Sequence, residues 1–388
     1  MTGPCTVDGL GMAGQARWRL DEASLVVAPS GGTPRTLPLA EIAGVGGEEF
    51  TLSLAVSGQS LVLSRLGADG PGLVAELGKR WLPLRAAGLR LTGGGPPRAF
   101  SGAVLGGTAP EPFRALLHDD VLLLAPAGSD VQPVFLALAD SVGYDEAEYA
   151  IELRMVDGRR LRLGRMAAQT APFVAALRAA RTTLADRAAA THAAHLPSLV
   201  MAARMALAAR WLPGRFVALE DLGRHAPGFV AAMASSWLAA CPRRAQAEHL
   251  LGWADAGRVF LGYGSLDSVP PPAAEDQGGE AATEADPDTL LCLLAGRGER
   301  WALEVLSVGD FATYVFTGGP ELPLLASQLL CAPQFSREAL YLPVEKLTGP
   351  RAGLAIAARE LPFLVELRRR LAGRFVHGDL EAWKRQIG

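Results

Sequence analysis

The sequence predicts an α+β chain: tandem small split β-barrels, each closed by a C-terminal helix, then a helical spacer and a C-terminal α+β module. Three observations predict it. One stretch occurs twice: Leu25-Val26-Val27-Ala28-Pro29 returns as Leu122-Leu123-Leu124-Ala125-Pro126, Leu39-Ala40-Glu41 as Leu138-Ala139-Asp140, and Gly72-Leu73-Val74-Ala75-Glu76-Leu77 as Pro172-Phe173-Val174-Ala175-Ala176-Leu177. The landmarks keep their order while the offset drifts only from 97 (25 to 122) to 100 (72 to 172), as small loop changes produce. Within each copy, short runs alternate apolar and polar residues between Gly, Pro and Ser, the period of half-buried strands. Each copy then ends in one apolar stripe at helical spacing.

Taken in order, residues 1–16 read as a flexible leader, with no secretory signal and no convincing strand between Met1 and Asp8. Copy one occupies 17–91. Strands are expected over Ser24–Ala28, Arg35–Leu39, Phe50–Val56 and Ser60–Leu66, the last two joined by a hairpin at Ser57-Gly58. A helix follows, carrying Leu73, Val74, Leu77 and Trp81. Residues 92–112, rich in Gly, Pro and Ala, read as a linker. Copy two occupies 113–187, with strands expected over Val121–Ala125, Val134–Leu138, Tyr149–Val156 and Arg160–Leu163. Its helix starts near Ala171 and carries Phe173, Leu177 and Leu184.

From 188 to 256 the pattern is helical, and Pro197, Pro213, Pro227 and Pro242 divide it into several helices, a helical spacer. Residues 257–388 return to strands and helices. Pro362-Phe363-Leu364-Val365-Glu366-Leu367 echoes the copy-two helix, so this module is either a third, degenerate copy or a distinct α+β domain. Within it, 267–288 holds seven acidic residues and no basic one, the composition of a disordered loop.

The tight hairpins, the run Leu37-Pro38-Leu39-Ala40-Glu41-Ile42, a final hairpin around Gly58 and one closing helix resemble the pleckstrin-homology (PH) superfold. The nearest in style are the small GRAM-like and bacterial PH-like domains. The resemblance covers roughly the first half of the chain, in two copies. It implies a curled sheet whose open end the helix plugs. It also implies a non-catalytic binding or scaffold role, with docking at an exposed sheet edge or beside the closing helix. The family's phosphoinositide-binding members place basic residues between the first two strands. Read at Ser30–Arg35 in copy one and at Ala127–Val131 in copy two, that loop holds one arginine and none, which speaks against phosphoinositide recognition.

The chemistry-bearing motifs are sparse. A net charge of −3 argues against a dedicated nucleic-acid binder. The cysteines Cys5, Cys241, Cys292 and Cys331 are scattered, with no CxxC pair, and fit a reducing cytoplasm. Gly9-Leu10-Gly11-Met12-Ala13-Gly14 matches GxGxxG but lacks the strand before and helix after that dinucleotide binding requires. Tyr263-Gly264-Ser265 lacks the GxSxG elbow of a nucleophilic serine. His192 and His195 lie one helical turn apart but lack inward carboxylates at matching spacing. No catalytic residue, metal ligand or cofactor is therefore expected.

Two basic clusters remain as candidate ligand- or partner-binding residues: Arg159, Arg160, Arg162 and Arg165 near the last hairpin of copy two, and Arg368, Arg369 and Arg370 at a helix end. Three functions follow. The first is a cytoplasmic binding or scaffold protein with a protein partner. The second is a peripheral protein holding an anionic membrane surface through the copy-two arginines. The third is an enzyme with its site near His225, His249 or His377.

Overall fold

A computed structural model describes residues 1–48, 50–93, 95–265, 289–307, 312–333 and 336–387. The expected acidic loop, 267–288, lies outside the described residues. The fold is α+β, with 39% helix and 35% strand, and each strand pair among the described residues is antiparallel. The chain divides into two compact units, Met1–Ala179 and Ala180–Gly388.

The first unit is built twice over. Strands β1 (Thr2–Gly9), β2 (Met12–Leu20), β3 (Ser24–Pro29), β4 (Arg35–Pro38), β5 (Ile42–Glu48), β6 (Thr51–Val56) and β7 (Gln59–Ser64) lead into helix α1 (Gly70–Gly88). Strands β8 (Arg98–Leu105), β9 (Glu111–Leu117), β10 (Val121–Pro126), β11 (Gln132–Phe135), β12 (Ala139–Asp145), β13 (Ala150–Met155) and β14 (Arg160–Gly164) lead into helix α2 (Thr170–His195). The two sheets have the same order, β4-β3-β2-β1-β7-β6-β5 and β11-β10-β9-β8-β14-β13-β12. The agreement extends to backbone detail. A short 3₁₀ turn follows β4 and β11, a bulge opens β5 and β12, and Arg65 and Arg165 both adopt a φ of 55°.

Two expectations are corrected here. Residues 1–16 are not a leader: they form β1 and the first part of β2. Alternation places Cys5 and Val7 inward on β1, and Ala16, Trp18 and Leu20 inward on β2. The GxGxxG segment is the turn of that hairpin, with Gly9 paired to Met12. The proposed linker 92–112 likewise contains β8 and the start of β9, so copy two begins near Arg98 rather than at residue 113. The loops between the first two strands of each copy are thus Leu10-Gly11 and Gly106–Pro110, and neither contains a basic residue.

Each closing helix covers a sheet with its apolar stripe. On α1, Leu73, Leu77 and Trp81 are buried, and the Trp81 indole N–H donates to the Ile42 carbonyl at 2.7 Å. Arg85, also buried, donates to the Ala40 carbonyl at 2.9 Å, so its charge is held by a backbone acceptor. On α2, Phe173 and Leu177 are fully buried, and Phe173 stands 4.7 Å from Phe100 between ring centroids.

The second unit joins helices to a third sheet. It contains α3 (Met201–Ala208), β15 (Val217–Ala218), α4 (Leu219–His225), α5 (Phe229–Ala232), α6 (Leu238–Ala240), α7 (Arg244–Trp253), β16 (Val259–Ser265), β17 (Thr289–Arg297), β18 (Arg300–Val305), β19 (Ala312–Thr317), α8 (Leu322–Cys331), α9 (Glu338–Tyr341), α10 (Ala355–Glu360), α11 (Pro362–Arg370), β20 (Leu371–Val376) and α12 (Leu380–Ile387). Its sheet runs β15-β16-β17-β18-β19-β20, a plain meander, and this order differs from that of the two repeats. The helical stretch is no spacer. β15 pairs with β16, the Trp211 indole donates to the Leu261 carbonyl at 3.0 Å, and the Tyr263 hydroxyl donates to the Trp211 carbonyl at 2.9 Å. Strand β17 is buried along all but its last residue, which explains its unbroken apolar run.

Candidate functional site

Within the first unit the two copies meet along a seam that uses a sheet edge. Strand β5 ends one sheet, and the β10–β11 loop of the other copy lies against it. Gly128 N–H donates to the Val45 carbonyl and Val131 N–H to the Ala43 carbonyl, both at 3.3 Å. The loop approaches so closely that a Cβ on Gly44 would stand 2.5 Å from the Ser129 carbonyl oxygen, and one on Gly46 2.9 Å from Gly128 N. The Arg114 guanidinium, from β9, fills the space a side chain at Gly78 of α1 would need. The glycines of β5 thus expose a backbone edge and a loop covers it, which removes one free edge from the fold.

Repeat equivalence asks whether the same docking can continue outward. The equivalent edge is β12 and the equivalent loop is Ser30–Pro34. Both sides have changed: Gly44 corresponds to Ser141, and the donating Val131 corresponds to Pro34, which has no N–H. Strand β12 is largely exposed and carries Asp140 in its bulge and Asp145 at its far end, while β4 and β11 are four residues long and each contains a proline. Charge, bulge, shortness and proline are the means by which sheet edges resist strand addition. The tandem therefore closes at two copies, and the remaining edges are poor sites for β-augmentation.

The seven arginines expected to bind a ligand are mostly occupied. Arg159 pairs with Asp157 at 2.5 Å and Arg162 pairs with Glu148. Arg160 lies across from Arg154, which bonds Glu152 at 2.6 Å, and Arg160 and Arg162 both help hold the Glu152 carboxyl below its ordinary range. Arg165 stands exposed beyond the strand. Arg369 and Arg370 share Glu366, whose carboxyl they push down to about 2, and Arg370 also reaches Glu321. Arg368 donates to the carbonyls of Ala339 and Leu342, so it ties α11 to α9. Most of these arginines are thus part of local charge-balanced surfaces or backbone ties within their own unit.

The His377 side chain is 3% exposed and His192 is fully buried, whereas His195, His225 and His249 are half-buried. Glu304 on β18 is fully buried. Its Oε2 accepts from the Thr313 hydroxyl at 2.5 Å and lies 3.1 Å from His377 Nε2. Thr313 in turn accepts from the Trp383 indole N–H of α12 at 2.8 Å. Carboxylate and hydroxyl both address the same imidazole nitrogen, whereas a nucleophile–base–carboxylate relay uses opposite ring nitrogens. The cluster is a polar knot that fastens α12, through Trp383, to the sheet. His249 packs edge-on against Trp383 at 5.3 Å, and burial pushes its pKa down, aided by Lys384 and opposed by Glu381. His225 sits at the end of α4, its Nδ1 3.0 Å from the Asp221 carbonyl.

His192 and His195 each belong to an aromatic stack. His192 lies on Trp211 at 5.2 Å with Tyr263 edge-on at 5.4 Å, and His195 lies on Trp237 at 4.4 Å. Burial pushes the His192 pKa down to about 4. Among the described residues no three His, Cys, Asp or Glu side chains are grouped as a metal ion would require. All four cysteines are unbridged, and burial raises the Cys241 thiol to about 12.

One open cleft, about 390 Å³, lies at the turns that end β17 and β19 and precede β16. Trp301 and Phe260 line it, with the Arg258 guanidinium stacked on Trp301 at 4.4 Å. Arg258 already bonds the Gly298 carbonyl and Asp255, so its charge is committed within the fold.

What sequence reasoning missed is an apolar surface on the second unit. Val200, Met201 and Met205 are 70%, 69% and 56% exposed, and Val230 of α5 is 52% exposed. Just before the two helices, Leu199 lies 3.8 Å from where a Cβ on Gly228 would stand, and α4 packs against both α3 and α5. The signal was present in the sequence: α3 is apolar except for Arg204, yet only Ala203, Leu207 and Ala208 face inward. Among the described residues no helix is long and apolar enough to cross a membrane. Compared with protein-family models and with curated proteins, the chain matches none.

Proposed function

We propose that the chain is a non-catalytic binding or scaffold protein, and that its first unit is a pair of PH-like domains docked into one body that engages a protein partner. The observation that carries this reading is the repeated strand order, 4-3-2-1-7-6-5 in each copy, followed by a single closing helix. A curled sheet with its open end plugged by one helix is the arrangement that the resemblance implies. The Glu304–Thr313–His377 knot supports a binding role over a catalytic one, because Glu304 and Thr313 are fully buried and the connectivity among the described residues passes no proton to a nucleophile. With the edges blunted, docking falls to side-chain surfaces, and the outer face of α1, where Lys79 is 76% exposed, is the place to probe.

Photo-cross-linking in the source cell from a benzophenone amino acid at Lys79 tests this. The expected result is a discrete adduct with a second protein. Adducts with this chain alone, together with a chemical turnover that His377→Ala abolishes, would overturn it.

A further inference from the structure

The exposed face of α3 has a composition that singles out its occupant. At 100° per residue, Met201, Ala202, Met205, Ala206 and Ala209 fall on one outward arc, flanked by Val200 and by Val230. Between Leu199 and Arg215 there is no Asp, Glu, Asn, Gln, Ser or Thr, only apolar residues, glycine and the arginines Arg204, Arg210 and Arg215. Among the described residues Arg204 and Arg210 make no ion pair, in contrast to Arg159, Arg162, Arg369 and Arg370.

This patch offers methyl groups and cations and almost nothing else. A protein partner would ordinarily meet hydrogen-bonding side chains at about one bond per 100–200 Å², and residues 199–215 supply no carboxylate, amide or hydroxyl acceptor. A second copy docked here would bring like charges together. An anionic bilayer surface meets both requirements at once, since apolar side chains enter the acyl boundary while arginines remain among the headgroups.

We propose that the α3 face, centred on Val200, Met201, Met205 and Val230 with Arg204 and Arg210 at its border, is a peripheral attachment site for anionic membrane. It is a different site from the copy-two arginines. The attachment is reversible, because the helix is short and lies on the surface without crossing it.

The test is co-sedimentation of the full chain with vesicles of phosphatidylcholine, alone or mixed with phosphatidylserine, across a salt series. The expected result is binding to the mixed vesicles that fades with salt. Met201→Gln with Met205→Gln should abolish it. Arg204→Gln with Arg210→Gln should weaken it roughly 25-fold, about fivefold for each cation near such a surface. Arg160→Gln with Arg162→Gln should leave it unchanged. Unaltered circular dichroism of each variant shows that the fold is retained, as expected for exposed positions. Four results would overturn the proposal: no binding at the lowest salt, equal binding to neutral vesicles, unaltered binding by the α3 variants, or a dimer in solution that the methionine variants dissociate.

Discussion

Replacing His192 with leucine should make the second unit more stable and less sensitive to acid. The imidazole is fully buried against Trp211 and Tyr263, neither ring nitrogen makes a well-formed hydrogen bond, and its nearest polar neighbour is the Arg204 backbone. Burial is the first cause of its lowered pKa, the Arg204 backbone opposes it, and the charge of His195 adds to it. A histidine whose pKa is depressed on folding binds protons more readily when unfolded, so stability is lost as pH falls. The loss begins near the ordinary value of 6.5 and is complete below about 4. That gap, at roughly 1.4 kcal/mol per pH unit, amounts to about 3 kcal/mol in full and about 2 kcal/mol by pH 5.

Leucine restores apolar contact and removes two buried, unsatisfied nitrogens, which should add about 1–2 kcal/mol at neutral pH. Urea unfolding followed by tryptophan fluorescence reads the relevant transition, because Trp211 and Trp237 sit within the same stack. The parent should lose about 2 kcal/mol between pH 7.5 and pH 5, and the variant should lose markedly less. A variant as acid-sensitive as the parent, or one much less stable at neutral pH, would refute the reasoning.

Other consequences follow from the same packing. Trp81→Ala and Phe173→Ala should each cost about 3–5 kcal/mol in urea unfolding, because both large side chains are buried; a variant that unfolds like its parent would refute the proposed plug role. Trp383→Phe keeps the ring but removes the donor to Thr313, and should cost about 1–3 kcal/mol. Protease sensitivity of α12 should rise with that substitution, and an unaltered cleavage pattern would show that the knot does not hold the helix.

The sequence carried the repeat but hid its opening strands. β1 and β8 contain glycine, proline or isolated alanines where bulky residues would mark a strand, so Cys5, Val7 and Ala103 are weak signals of an inward face. Strand β5 escaped for a related reason: Gly44, Gly46 and Gly47 dilute its pattern, and the first two are there because a loop of the other copy lies against them. Its counterpart in copy two, β12, escaped because an exposed edge favours polar residues.

The surface arginines were easier to judge than their clustering implied. Asp157 lies two residues from Arg159, Glu152 two from Arg154, and Glu366 three and four from Arg369 and Arg370, spacings that pair charges locally. The knot of Glu304, Thr313, His377 and Trp383 could not be read in advance, because its members are brought together only when β18, β19 and α12 assemble.

The most direct test of the tandem body is hydrogen exchange on the full chain, read over residues 126–131. An exposed hairpin loop exchanges freely, whereas this loop donates Gly128 N–H to Val45 and Val131 N–H to Ala43 across the seam. Slow exchange in the parent, lost when Gly44→Val pushes the loop away, is the expected result. Free exchange in the parent, or protection that survives Gly44→Val, would contradict the docking of the two copies into one body.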